Sequence, residues 1–410
     1  MTRQRELDII VFGATGFVGR LVAAYLAEHA PSEVRIGLAG RSSTRLTAVR
    51  DAVGPRASEW PLITADAADR GSMDALAARS HVVITTVGPY ARYGMPLVAA
   101  CAAAGTDYVD LTGEVLFVRD TLAQCADAAR LSGARIVHSC GFDSVPSDLS
   151  VLLLADRARD DEAGLLEDTA LVVRSMKGGV SGGTIDSARV MAQAVAADRS
   201  LVKVLMDPYA LSPDRAAEPD PGRTPDMTPV RRDDSVGEWV GPFVMAAYNT
   251  RVVRLSNAVA GHAYGRGFRY REAMAFGDGL MAPVTAAAVS VGVAIGLVGF
   301  AFGPTRAVLD RLLPAPGEGP DEEVQRAGSF AMETRTRTTT GVSYRCTFAA
   351  DGDPGYQATA VMIGESALAL VLDRDRLPDR AGVLTPATGI GPVLATRLRA
   401  AGFRIDVEQV

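Results

Sequence analysis

With 410 residues, 48% apolar content and a net charge of −6, the chain is too long for one ordinary domain and apolar enough to fill two cores. No basic block is present, which excludes the electrostatic footprint of a nucleic-acid binder, and with Lys177 and Lys203 as its only lysines the chain has little scope for Schiff-base chemistry. Cys101, Cys125, Cys140 and Cys346 are scattered, the four histidines lack ligand spacing and no secretory signal precedes the first apolar run, so a metal-free protein of the reducing cytoplasm is expected.

The first predicted strand, Ile9 to Phe12, runs into Gly13-Ala14-Thr15-Gly16-Phe17-Val18-Gly19 and then a helix-like stretch from Arg20 to Glu28. A dinucleotide-binding turn needs that order: a strand to deliver the chain, glycines to let the backbone approach a pyrophosphate, and a helix N-terminus to meet its charge. The second strand, Val34 to Ala39, ends in Gly40-Arg41-Ser42 rather than in an acid. A carboxylate there would accept from both ribose hydroxyls of NAD, whereas Arg41 and Ser42 suit a 2′-phosphate, so the pair predicts NADP(H). The third strand, Pro61 to Ala65, precedes Asp66, which faces the adenine edge or serves as a loop cap.

Strands at His81–Val87, Tyr108–Leu111 and Arg135–Ser139, with helices at Met95–Ala104 and Leu116–Leu131, complete six β/α units within residues 1–150. Three loops at the ends of these strands are expected to converge on the nicotinamide. They are Gly88-Pro89-Tyr90-Ala91-Arg92-Tyr93-Gly94, Thr112-Gly113-Glu114, and His138 to Pro146, which contains Gly141, Phe142 and Asp143. Tyr93, His138 and Tyr90 are the candidate proton donors, since hydride addition leaves a carbanion or alkoxide to be protonated or held. Glu114 and Asp143 are also suited to holding loops through backbone N–H groups.

Past residue 150 the rhythm changes to a second α/β domain, residues 151–385, on a mixed or antiparallel sheet. A strand at Val172–Met176 leads into Ser181-Gly182-Gly183-Thr184, whose N–H groups and hydroxyls at a helix start suit a substrate carbonyl or carboxylate. Residues 207–235, rich in proline and charge, read as an exposed loop. Asn249 and Arg251 on a helix at Ala246–Val259 are further substrate-binding candidates. Segments Phe268–Phe276 and Ser329–Ala350 read as β-rich. Between them, residues 279–305 carry no charge, which fits a buried or oligomer-interface helix, a lipid-touching helix or a membrane span. Residues 386–410 read as a helix and a strand returning to the first domain.

Taken together, Gly13 to Gly19, Ala39-Gly40-Arg41, Val87-Gly88-Pro89-Tyr90, Asp107 to Glu114, Cys140 to Asp148, Ser181 to Thr184 and Leu384-Thr385-Pro386-Ala387 make the chain resemble the saccharopine dehydrogenase family, in its branch of mycobacterial trans-acting enoyl reductases. That resemblance implies a Rossmann domain with an α/β substrate domain and a nicotinamide cofactor. It also implies reduction of a carbon–carbon double bond in an acyl thioester held by a polyketide synthase or acyl carrier protein. The uncharged stretch then suits an acyl path or a peripheral position at the inner face of the cell membrane, with a homodimer as an alternative use of the same surface. A saccharopine-type amino-acid dehydrogenase and a non-catalytic, lipid-associated nucleotide-binding protein are the competing readings. The first would need cationic groups for its substrate carboxylates, the second a blocked nicotinamide site.

Overall fold

The computed structural model describes residues 5–178, 182–220, 228–234, 236–299 and 322–410. Six strands, β1 (Leu7–Phe12), β2 (Ile36–Gly40), β3 (Leu62–Thr64), β4 (Ser80–Thr85), β5 (Asp107–Val109) and β6 (Arg135–Val137), alternate with helices α1 (Phe17–His29), α2 (Ser43–Val53), α3 (Arg70–Arg79), α4 (Tyr90–Ala104) and α5 (Val115–Ser132). They form a parallel sheet ordered β3-β2-β1-β4-β5-β6, with the chain reversing direction on either side of β1. Both faces are covered, as a parallel sheet requires. Ile10 and Phe12 of β1 join the core under α3, α4 and α5, while Ile9 and Val11 face the opposite core.

A seventh strand, Gly382–Leu384, pairs parallel to β6 at the edge of this sheet. The expected return of the chain to the first domain therefore occurs just before residue 386. The terminal strand, Arg404–Gln409, goes instead to the second sheet, where Phe348 pairs with Ile405, so the expectation for residues 386–410 is corrected. The helix Gln357–Leu372 belongs to the same crossover. It packs on α1 and over β4, with Gly364 against the Tyr25 ring and the Tyr25 hydroxyl donating to Glu365 at 2.6 Å.

Continuing the strand count in chain order, β7 (Leu166–Lys177), β8 (Arg231–Asp233), β9 (Glu238–Gly241), β10 (Arg269–Ala275), β11 (Ser329–Thr338), β12 (Ser343–Asp351), β13 (Gly382–Leu384) and β14 (Arg404–Gln409) complete the set among the described residues. All but β13 lie in a second sheet ordered β14-β12-β11-β7-β10-β9-β8, in which only β7 and β10 run parallel. Its inner face carries Phe330, Met332, Tyr344, Cys346 and Phe348 against α6 (Val145–Asp160). The alternation of buried and half-buried residues along β11 is what a one-sided sheet demands. The outer face carries ion pairs, with Arg174 bridging Glu238 at 2.8 Å and Glu333 at 2.9 Å.

Two segments depart from their predicted character. Residues 207–220, expected as exposed loop, are anchored by buried Tyr209 and Leu211, with the guanidinium groups of Arg215 and Arg254 over the Tyr209 ring, and β8 follows within the same stretch. The uncharged stretch forms α10 (Ala282–Gly299), preceded in order by α7 (Gly182–Ala197), α8 (Leu201–Met206) and α9 (Ala246–Val259). Residues 300–305 of that prediction lie outside the described residues. Ala282 and Ala286 are buried, Ala286 and Ser290 facing Gly241 at the end of β9, while Leu280, Met281, Val284 and Val291 stand exposed. No described helix is long and apolar enough to cross a membrane.

Candidate cofactor and active site

The carboxyl ends of the first sheet carry the turn read from the sequence. Gly13 has φ +88°, and a Cβ there would lie 2.7 Å from Thr86 Oγ1, so the position demands glycine twice over. A Cβ on Gly19 would overlap the Gly13 carbonyl outright, because that glycine is where α1 crosses the turn. Gly16 differs. It is exposed, has φ −74° and ψ 167°, and a Cβ there would meet only the Gly13 carbonyl oxygen, at 3.2 Å. Gly16 is also the N-cap of α1 and offers no side-chain cap. The first-turn N–H groups of Phe17, Val18 and Gly19 thus lack the intrahelical acceptors that later residues have, and together with Thr15 they border an open cradle for an anion.

Beside this cradle, Arg41 is exposed and makes no ion pair with any described residue. Ser42 caps α2, its Oγ accepting from Arg45 N at 3.4 Å, which leaves the hydroxyl proton free to donate. Both groups fit a 2′-phosphate. Asp66 remains exposed at the end of β3, but one carboxylate oxygen accepts from Ala68 N at 3.0 Å, closing its own loop. Phe17 does not turn wholly to the cradle either, since its ring packs edge-on against Tyr356 with centroids 4.8 Å apart.

On the other side of β1 the three loops do converge, and Glu114 joins them. Its carboxylate accepts from Tyr90 N at 2.9 Å, from Ala91 N at 2.7 Å and from Ser187 Oγ of α7 at 2.6 Å. This cap, supplied from another loop, starts α4 at Tyr90 rather than at the predicted Met95, so Tyr90 and Tyr93 lie in its first turn just after the cis Gly88–Pro89 peptide. Arg92 reaches Gln193 at 2.9 Å, so α7 runs along the rim of the cleft.

Two of the three proton-donor candidates are sealed. The Tyr90 ring is buried, its hydroxyl donating to the Thr85 carbonyl at 3.1 Å and accepting from Leu111 N at 3.1 Å. His138 is buried with both ring nitrogens engaged, Nδ1 at 2.7 Å from Asp110 Oδ2 and Nε2 at 2.9 Å from Thr121 Oγ1. Asp110 in turn accepts from Tyr108 Oη, Thr112 N and Ser139 N, which fixes the β5 and β6 loops relative to each other. His138 is accordingly corrected from proton donor to internal brace. Tyr93, 40% exposed, stays at the rim.

The substrate-binding expectation for Asn249 and Arg251 is corrected as well. Asn249 is buried, accepting from Ser144 Oγ at 3.0 Å and donating to Ser147 Oγ and Glu272, each at 3.1 Å. Arg251 is buried with its guanidinium turned onto the carbonyls of Ala247 and Leu205. Both lock α9 in place, and a helical pattern alone gave no sign of which face would be covered. Gly182 and Gly183 do begin α7 at the cleft, Gly182 buried and Gly183 exposed; Ser181 and the Thr184 side chain lie outside the described residues.

Asp143 is the site residue whose character sequence reasoning missed. Gly141 and Phe142 before it are buried, the Phe142 N–H held by Thr359 Oγ1 at 3.0 Å, but Asp143 itself is partly accessible. Its oxygens lie over two glycines: a Cβ on Gly141 would be 3.1 Å from one and a Cβ on Gly113 3.8 Å from the other. Burial, with the Asp110 charge behind it, pushes the Asp143 carboxyl up to about 7 despite the bond from its own N–H.

A parallel sheet of this order, with a glycine turn after β1 and loops gathered at the strand ends on either side of it, is the architecture of a dinucleotide-binding domain. Residues 9–137 match the family described as the saccharopine dehydrogenase NADP binding domain, which makes NADP(H) the cofactor. The chain is 49% identical over 409 residues to a trans-acting enoyl reductase of Mycobacterium tuberculosis, covering 97% of both chains, and 47% identical over 416 residues to that of Mycobacterium ulcerans, covering 99% of both. In fold it is similar to apo saccharopine dehydrogenase (L-Glu forming) from Saccharomyces cerevisiae, at a TM-score of 0.54 and 13% identity over 98% of this chain and 100% of that one. The chain belongs to the saccharopine dehydrogenase family, within the branch of the mycobacterial trans-acting enoyl reductases, and is an NADP-dependent oxidoreductase.

Proposed function

We propose that the protein is a trans-acting enoyl reductase that reduces the carbon–carbon double bond of an acyl thioester presented by a polyketide synthase or acyl carrier protein, as part of lipid or polyketide assembly. The observation that carries this reading is identity of nearly one half, from end to end, with relatives bearing that name, joined to an open cofactor cradle. Bound NADPH would supply a hydride to the β-carbon of the enoyl group. The chain's own residues hold and orient. First-turn N–H groups of α1 receive the pyrophosphate and Arg41 with Ser42 the 2′-phosphate. Gly88, Pro89, Gly141, Phe142 and Asp143 border the nicotinamide end, and Glu114 ties the β4 and β5 loops to α7.

The amino-acid dehydrogenase reading is disfavoured by what the arginines of α9 do. Arg254, like Arg251, is turned onto backbone carbonyls, those of Pro208 and Tyr270, rather than toward a substrate carboxylate. An apolar route is better supported. Met245 Cε would lie 3.9 Å from a Cβ on Gly113 in the cleft, Val244 is exposed, and Gly241 just before them meets α10 with its exposed Met281, Val284 and Val291. This surface suits an acyl chain, and equally a peripheral contact with the inner face of the membrane. Burial contributes about 0.8 kcal/mol per methylene, so kcat/KM should rise about fourfold for each methylene that enters the path. NADPH oxidation assayed with trans-2-enoyl thioesters of increasing length, beside saccharopine, tests the reading. Turnover of saccharopine, or indifference to acyl length, would reject it.

A further inference from the structure

We propose that Asp143 is the acid that protonates the α-carbon of the substrate, facing the nicotinamide end of the cleft from the loop after β6. This rests on the reductase reading above and names the residue that completes it.

The adenosine end of the cofactor lies over β2 and β3, where Arg41 and Ser42 stand, so the nicotinamide end lies across β1, over β4, β5 and β6. Asp143 is in the β6 loop, against Gly113 of the β5 loop. The carboxyl packs over the backbone of Gly141 and Gly113, and Asp143 is partly accessible where Phe142 and Ser144 on either side are buried.

Among the described residues the other buried ionisable groups of the cluster are engaged, and Tyr93 stands at the rim, 40% exposed. Tyr90 donates to Thr85, Tyr108 to Asp110, and Tyr248 is paired with Ser139 Oγ at 2.5 Å, whose own proton goes to the Thr112 carbonyl. His138 is braced on both sides, and Glu114 is ligated by two N–H groups and a hydroxyl. Among the described residues Asp143 receives only its own N–H, and no cation is set against it. The titratable groups around it are Asp110 just after β5, Tyr90 from α4 and Tyr248 from α9. Burial accounts for most of the rise of the Asp143 carboxyl to about 7, with the Asp110 charge adding to it, so near neutral pH about half of it carries a proton.

The step balances. When a hydride has been added at the β-carbon, the π-electron pair of the double bond passes to the α-carbon and the thioester carbonyl. The α-carbon then takes the proton of the Asp143 carboxyl, leaving a saturated thioester, an oxidised cofactor and an Asp143 carboxylate that recovers its proton from water. With the cofactor bound, the Asp143 carboxylate would stand beside a positive ring in NADP⁺ and a neutral one in NADPH.

That asymmetry supplies a test that needs no turnover. NADP⁺ and NADPH affinities are measured by calorimetry between pH 5.5 and 8.5 on the wild-type protein and on Asp143→Asn, an isosteric variant checked for folding by thermal unfolding. In the wild type, NADP⁺ binding should tighten on the order of 10-fold relative to NADPH as pH rises through about 7. Asp143→Asn should flatten the difference. A flat wild-type profile, or one that survives in the variant, overturns the proposal, and the wild-type arm stands even if the variant fails to fold. In turnover, wild-type kcat should fall above about pH 7 as the acid is lost, while Asp143→Asn loses on the order of 10²- to 10⁴-fold in kcat with little change in KM, and Asp143→Glu recovers part of it. Full kcat in Asp143→Asn overturns the assignment. If the wild type reduces no enoyl thioester, the reductase reading fails, and the cofactor titration still decides whether Asp143 faces the ring.

Discussion

Replacing Gly16 by valine should separate cofactor binding from folding, because the structure puts the two demands on different glycines. At Gly16 the backbone sits at φ −74°, ψ 167°, a conformation open to any residue, and the nearest atom to a new Cβ is Gly13 O at 3.2 Å. Loss of backbone freedom in the unfolded chain stabilises such a replacement by about 0.4–1 kcal/mol, against a tight contact of similar size, so the net change in stability should be within about 1 kcal/mol. The side chain then fills the space where the phosphates must meet the first-turn N–H groups. Hydrogen bonds to a charged partner contribute about 1.5–3 kcal/mol each, so losing two weakens NADPH binding by roughly two to four decades. Gly19→Ala is the companion. Its Cβ overlaps the Gly13 carbonyl, with Gly13 C at 2.8 Å, so both binding and stability should fall, the latter by about 1–3 kcal/mol. Thermal unfolding and NADPH fluorescence titration on both variants give the comparison. A folded Gly16→Val protein with wild-type affinity would show that the pyrophosphate does not lie on this turn.

Arg41→Ala should weaken NADPH by about 10- to 100-fold and leave NADH unchanged, since this exposed guanidinium has no ion pair to lose among the described residues; equal affinities for the two cofactors in the wild type would refute the assignment. Glu272→Gln should remove part of the pH dependence of stability. Burial raises the Glu272 carboxyl from 4.5 to about 7, so its folded form keeps a proton that the unfolded chain releases; the contribution is fully present below pH 4.5 and is lost as pH rises through about 7. Between pH 5 and pH 8 the wild type should therefore lose about 2–3 kcal/mol more than Glu272→Gln in urea unfolding, and parallel losses would refute it. Asp148, raised to about 6 by burial, gives a slope of the same sign in both proteins.

Much of the first domain was readable because its signals are local. A strand buried on both faces shows as an apolar run, and a glycine turn shows as glycine, so β1 to β6 stand within a few residues of their predicted places. What was hidden depends on partners far along the chain. The three residues Gly382–Leu384 have no periodicity to detect, and only their parallel register with Arg135–Val137 makes them a strand. The start of α4 was hidden for the same reason: Gly88 to Gly94 reads locally as loop, and the cap that overrules it comes from Glu114.

The same distinction sorts the candidate site residues. A glycine's role is written in its backbone, so Gly13, Gly16 and Gly19 could be assigned from a strand-turn-helix pattern. A histidine or asparagine takes its role from whatever accepts or donates across from it. His138 looks like an acid until Asp110 and Thr121 are seen to occupy both nitrogens, and Asn249 looks like a substrate ligand until Ser144, Ser147 and Glu272 close around it. Asp143 reverses the case. Its sequence neighbourhood suggests a loop brace, yet the groups that would make it one are already bonded elsewhere, chiefly to Asp110 and Glu114. An acid left without a counter-ion inside a finished network is the part of such a site still free to exchange a proton, and that can be read only after every other proton in the cluster has been placed.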